Sequence, residues 1–425
     1  MQIQQLVSAA QQAMQTGRMD DAARAWTAVL AASPQHAQAL FFLGQHRLTR
    51  QDAEAAVALF ERAANADPKA PIIPLNLALA QRAAGNVSGE LIALERSLSI
   101  DPYYLPALLA KADAVERTGN PREAARIYKD ALSIAPPDEQ LAPDLRPAID
   151  RARARVSENT DRLERHLNAA LAALPAASDA GLDRFERCRD ALLGRRKIYV
   201  QQPTMLHYPE LPAIQFYERQ FFPWLAELEA SAGDVRDELV AVLGPQADEF
   251  RPYVQNPASA PLNQWAELNN SRRWSALFLW EDGTRNDEHC ARCPRTAALM
   301  ERMPSAQVPG YAPAVFFSVL EPHTRIPAHT GVTNTRLIVH LPLLIPEKGK
   351  CFFRVGNETR EFEEGQAWVF DDTIEHEAWN DSDRPRAILI FDIWNPLLSE
   401  AERERVSAMM VAIRNYYRQA DLRDA

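Results

Sequence analysis

Cysteine is scarce. Four residues, Cys188, Cys290, Cys293 and Cys351, occur in a chain of 425. So few cannot staple a chain this long, which excludes a disulfide-dense secreted scaffold and makes a reducing compartment the default. Long apolar runs are missing as well: no stretch approaches the ~18 apolar residues that a membrane-spanning helix needs. The opening Met1-Gln2-Ile3-Gln4-Gln5 has neither the cationic nor the apolar segment of a secretory leader. The expectation is a cytoplasmic protein with no membrane partner. Positive charge is in deficit too, with 47 Lys and Arg against 57 Asp and Glu, a formal net charge of −10. No basic run offsets this locally, so a phosphate backbone is repelled and nucleic acid is excluded as a partner. What remains is ordinary for a globular protein, 47% hydrophobic and 24% charged. The length allows about three domains.

The first third repeats. Pro34, Pro68, Pro102 and Pro136 are each 34 residues apart, and Ala10, Gly44, Ala78 and Ala112 keep the same register. Ala22, Ala56 and Ala124 form a third series, interrupted by Glu90. Small residues let paired helices approach closely, and each proline closes a unit because it cannot continue a helix. Helical periods such as Ala25-Trp26-Val29-Leu30 and Ile127-Leu132-Ile134 run between them. The pattern resembles a tetratricopeptide array of about four repeats over 1–138, whose groove binds a protein or peptide partner or serves as a docking platform. Residues 139–200 keep a helical pattern, with a start at Pro175 to Asp179, and read as a linker or cap. The aromatic segments around Phe216-Tyr217 and Phe221-Phe222-Pro223-Trp224 read as buried packing.

From about Ala312 the texture turns to short β-rich runs: Ala314–Leu320, Arg336–Ile345, Cys351–Val355, Ala367–Phe370 and Ala387–Trp394. Turn signals divide them, and Ser399 to Tyr417 returns to helix. Within this region His329 and His376 stand about fifty residues apart, with Arg386 ten beyond the second. That layout matches the non-haem Fe(II) oxygenases that consume 2-oxoglutarate. There, one strand of a small jelly-roll barrel supplies a metal ligand, a returning strand the second, and the next strand a cation for the cosubstrate carboxylate. At roughly 8–12 residues per strand and turn, the gap holds several strands.

Longer motifs sharpen this: His329-Thr330-Gly331-Val332-Thr333-Asn334-Thr335-Arg336-Leu337, Gly356-Asn357-Glu358-Thr359, and Phe370-Asp371-Asp372-Thr373-Ile374-Glu375-His376-Glu377-Ala378-Trp379. With Trp274-Ser275-Ala276-Leu277-Phe278-Leu279-Trp280 and Phe391-Asp392-Ile393-Trp394-Asn395-Pro396, they resemble the aspartyl/asparaginyl β-hydroxylase family over about residues 200–400. Animal members also carry repeats upstream. The resemblance implies an all-α tetratricopeptide solenoid followed by a double-stranded β-helix (jelly-roll, cupin-like) oxygenase domain at 201–425 with flanking helices. It implies Fe(II), 2-oxoglutarate and O₂ as cofactor and cosubstrates. His329 and His376 would hold the metal, Ser318 and Arg386 the distal carboxylate of 2-oxoglutarate, and His340 its metal-side carboxylate. The family's basic residue two before that histidine is Ile338 here, and Arg336 is the candidate to replace it. Gly331 fills the position where other oxygenases place a carboxylate, so Asp371 or Asp372 is expected to compensate through a bound water. Phe316, Phe317, Trp368 and Trp394 are expected to line a dry cavity, or else to be core.

The implied reaction is hydroxylation of an Asp or Asn side chain of a protein, peptide or related small molecule, coupled to decarboxylation of 2-oxoglutarate to succinate. The competing reading is a tetratricopeptide adaptor with a catalytically inactive, ligand-binding barrel. His36, His46, His166 and His207 read as hydrogen-bonded structural residues, and His323 as either a surface residue or part of the site's rim. The Cys290–Cys293 pair lacks the second ligand pair that zinc requires. No feature of the sequence sets an oligomeric state.

Overall fold

The computed structural model describes residues 2–174, 182–244 and 249–421; the helix start expected at Pro175 to Asp179 lies outside the described residues. Packing divides the chain into two compact units, Met1–Arg189 and Asp190–Ala425.

The first unit is a stack of antiparallel helix pairs: α1 (Gln2–Gln15) with α2 (Met19–Ala32), α3 (Ala37–Thr49) with α4 (Ala53–Ala66), α5 (Ile72–Ala83) with α6 (Val87–Ile100), and α7 (Leu105–Arg117) with α8 (Pro121–Ile134). A long α9 (Arg146–Ala172) lies against α8. Each period-34 proline stands two residues past the end of the second helix of a pair. The small-residue series are buried where the helices touch: Ala10, Ala22, Ala56, Ala78, Ala112 and Ala124 are all at most 1% exposed. Glu90, the interruption, is buried and accepts from Arg117 Nη2 at 2.5 Å. Two further series emerge from the turns inside the pairs. Gly17, Gln51, Gly85 and Gly119 all have positive φ, from 62° to 86°. That conformation costs an L-residue roughly 1–2 kcal/mol and glycine almost nothing, so Gln51 is the strained member. Next to three of these turns, Asp52, Asn86 and Asn120 cap the following helix by accepting an N–H at its first turn.

The second unit begins inside α10 (Asp183–Leu192) and is built on two antiparallel sheets. In chain order the strands are β1 (Arg251–Pro252), β2 (Trp274–Glu281), β3 (Thr284–Arg285), β4 (Val315–Leu320), β5 (Thr324–His329), β6 (Arg336–Leu344), β7 (Cys351–Val355), β8 (Glu358–Glu361), β9 (Trp368–Phe370), β10 (His376–Asn380) and β11 (Arg386–Trp394). The larger sheet runs β1-β2-β4-β11-β6-β9 with β3 on β2; the smaller runs β5-β10-β7-β8. A core containing Trp274, Leu320, Ile326, Phe353, Phe370 and Ile388 fills the space between them. On the other face of the larger sheet Phe317, Leu389, Leu341 and Val339 pack against α11 (Leu225–Ala230), α12 (Ala232–Leu243) and α14 (Pro294–Arg302), with Cys290 of α13 (Asp287–Arg292) in the same cluster. α15 (Glu400–Asp421) adds Val406 and Met410 to a small cluster with Ala306 and Val308. Among the described residues no helix is long and apolar enough to cross a membrane.

Candidate active site

Strand alternation aims one face of the larger sheet at the smaller one. From β4 that face presents Phe316 and Ser318, from β6 Arg336, Ile338 and His340, and from β11 Arg386, Ile388, Ile390 and Asp392. All of these line a single cavity of about 480 Å³, together with His329 and His376 from the facing sheet. The six residues anticipated from the sequence, Ser318, His329, Arg336, His340, His376 and Arg386, are therefore brought together.

His329 ends β5 and His376 begins β10, and the two are direct cross-strand partners. Their ring centroids are 4.1 Å apart. His329 Nδ1 lies 2.8 Å from the Pro327 carbonyl and His376 Nδ1 3.0 Å from the Ile374 carbonyl. A carbonyl can only accept, so each Nδ1 carries the proton and each Nε2 keeps a free lone pair. Burial lowers the proton affinity of both rings, that of His376 strongly. Two neutral imidazoles with bare Nε2 atoms are a donor set that suits a first-row divalent metal. Among the described residues no group of three or more His, Cys, Asp or Glu side chains converges.

Gly331 explains the missing carboxylate. A Cβ at that position would collide with the carboxylate of Asp372, whose backbone carbonyl accepts from Gly331 N–H at 2.6 Å. The side chain at 331 is thus displaced by a carboxylate arriving from another residue. Burial raises Asp372 to about 7, with Arg336 opposing the rise. Asp371 plays a different part. It is fully buried and accepts from Thr373 N, Thr373 Oγ1 and Gln201 Nε2, which anchors the turn before His376. Of the two aspartates, Asp372 is the one that faces the cavity.

At the other end, Arg386 is 1% exposed, and its Nε and Nη1 find no hydrogen-bond partner among the described residues. Its guanidinium lies over the Phe362 ring at 4.9 Å. Burial lowers its pKa to about 10, which leaves it cationic at neutral pH. Ser318 accepts from Trp274 Nε1 at 3.1 Å. His340 is buried with Nδ1 unpartnered, and burial, then Arg386, hold it neutral. Arg336 is not free: it pairs with Asp392, which also accepts from Ala314 N at 3.0 Å.

Three of the four expected cavity aromatics are elsewhere. Phe317 neighbours Ser318 on its strand and so faces the opposite side, into the helix-backed core. Trp394 packs on the α15 cluster, and Trp368 sits between Phe353 and Phe362. Only Phe316 of the set lines the cavity. His323 is an exposed turn residue paired with Asp383 at 2.9 Å, away from the cavity. Cys290 and Cys293 are buried and unbridged. Tyr253 and Trp265 carry no recognisable sequence signal, yet with Trp274 they form an aromatic mouth to the cavity. Tyr253 stacks on Trp274 with centroids 4.1 Å apart, and Trp265 meets the His329 ring edge-on at 4.9 Å.

The profile described as "Aspartyl/Asparaginyl beta-hydroxylase" matches residues 229–396, and a tetratricopeptide-repeat profile matches residues 7–71. The ornithine lipid ester-linked acyl 2-hydroxylase of Rhizobium tropici is 34% identical over 209 residues, 49% of this chain and 70% of that protein. The chain belongs to the aspartyl/asparaginyl β-hydroxylase family. The human family member named aspartyl/asparaginyl beta-hydroxylase is 26% identical over 438 residues, covering 95% of this chain. The chain spans only 55% of that relative's length. A crystal structure of MamA aligns with 31% of the chain and 77% of its own, at 23% identity and a TM-score of 0.30.

Proposed function

We propose that the Asp190–Ala425 unit is an Fe(II)- and 2-oxoglutarate-dependent dioxygenase. It hydroxylates an Asp or Asn side chain of a protein or peptide, or a related small molecule, and converts 2-oxoglutarate to succinate. One observation carries the reading: a fully buried arginine with unpartnered N–H groups shares a cavity with two facing imidazoles whose Nε2 atoms are free. A buried cation without a counter-charge is costly, so the site is built to receive an anion.

When bound, the iron supplies the activation of O₂ that is coupled to cosubstrate decarboxylation. The protein's residues position and shield. Arg386 and the Ser318 hydroxyl hold the distal carboxylate by charge-assisted hydrogen bonds. His340 offers a ring N–H to the metal-side carboxylate. Arg386 and Asp392 are six residues apart on one strand, about 20 Å at 3.3 Å per residue. Arg336 already has a carboxylate partner in Asp392, at the opposite end of the strand from Arg386, so we assign the Arg336–Asp392 pair to the substrate end. The repeat unit binds a protein or peptide partner, as solenoid surfaces commonly do.

The test is an anaerobic visible spectrum with Fe(II) and 2-oxoglutarate. A weak charge-transfer band in the wild type, absent in His376→Ala and weakened in Arg386→Ala, supports the reading. No band and no retained iron would leave the adaptor.

A further inference from the structure

We infer that Trp274 is a positioning residue for the cosubstrate, acting through Ser318; this rests on the 2-oxoglutarate reading above. Trp274 and Arg386 stand in one row across the larger sheet, both opposite Leu320 of β4, and Ser318 is diagonal to each. All three side chains are buried, at 5%, 1% and 1% exposure for Trp274, Arg386 and Ser318. An indole N–H can only donate, and here it donates to Ser318 Oγ at 3.1 Å. A hydroxyl has two acceptor lone pairs and one proton. With one lone pair taken by the indole, the hydroxyl is turned so that its proton points away from Trp274, to the side where Arg386 stands. Two donors, one neutral and one charged, then meet the same carboxylate.

The indole itself cannot swing away. The Tyr253 ring stacks on it with centroids 4.1 Å apart and planes 25° apart, and Trp265 stacks at 6.1 Å on it as well. Ser318 alone would choose among three staggered wells. Trp274 removes that choice before the ligand arrives, which lowers the ordering cost of binding.

The experiment is a calorimetric titration of 2-oxoglutarate into protein loaded with Zn(II) as a redox-inert stand-in. Wild type, Trp274→Phe, Ser318→Ala and the double variant are compared. Phenylalanine keeps an aromatic ring under Tyr253 while removing the N–H together with the fused pyrrole, and the Ser318→Ala background separates the hydrogen-bond loss from the packing loss. Trp274→Phe should weaken binding roughly fivefold, the scale of one hydrogen bond. In the Ser318→Ala background the same change should do nothing further. Zn(II) affinity, set by His329 and His376, should match the wild type throughout. An unchanged 2-oxoglutarate affinity in Trp274→Phe overturns the inference. So does an equal loss in both backgrounds, or a parallel loss of Zn(II), since each marks a general packing effect. Failure of the Zn(II)-loaded wild type to bind 2-oxoglutarate at all overturns the cosubstrate reading and this inference with it.

Discussion

The two units place their key residues by different means. In the repeat unit a side chain meets partners from its own helix pair or the next, so its role is set within about one 34-residue period. In the β-rich unit Ser318 pairs across strands with Ile388, and His329 with His376, seventy and about fifty residues away in sequence. The difference predicts how damage spreads. A lesion in the array should stay local, whereas one in the cavity should disable chemistry that several strands assemble.

Three substitutions put that contrast at risk. The largest stability effect is expected for Trp26→Ala. Trp26 is fully buried in the first helix pairs, and its truncation should cost about 3–5 kcal/mol. Urea unfolding followed by circular dichroism should show an early helical transition, while 2-oxoglutarate binding stays at the wild-type level; a loss of binding would break the comparison. Next comes Gly331→Ala, a single methyl driven into the Asp372 carboxylate. Misplacement of about 1 Å in a reacting site can cost ~100-fold, and succinate release should fall by that order while the melting temperature moves little. A variant with normal turnover would show that the space at 331 is not needed. The smallest effect is a gain. Gln51→Gly relieves the one left-handed non-glycine in the period-34 turn series and should stabilise the array by about 1 kcal/mol. Thermal melting would detect it, and no gain would mean that Gln51 is held without strain.

The same contrast decides what could be read in the sequence. Pro34, Pro68, Pro102 and Pro136 revealed the array because each acts on its own helix end. The turn series at Gly17, Gln51, Gly85 and Gly119 is less legible because what its members share is a positive backbone φ rather than a residue type. In the second unit, hydrophobic strands such as β4, β6 and β11 were legible. The strands carrying the two histidines were not: Thr324–His329 and His376–Asn380 are short and mix charged and apolar residues. The site residues were found through motif and spacing, without their strands. Phe317 was misplaced because one residue of register reverses a side chain's face. Tyr253 and Trp265 come from irregular segments whose approach to the cavity no local pattern announces. Asp392 was within reach, since it continues the inward alternation from Arg386 through Ile388 and Ile390.

The carbonyls that fix the two histidine tautomers belong to Pro327 and Ile374, each two residues before its ring. Every amino acid carries a carbonyl, so exchanging either residue leaves the acceptor in place. Many histidine centres depend on a carboxylate side chain for this task, and one mutation can delete it. Here the ring orientation is written into the backbone, and that part of the site is insulated against substitution. Sequence drift at these two positions can proceed without disturbing which nitrogen of each imidazole is bare.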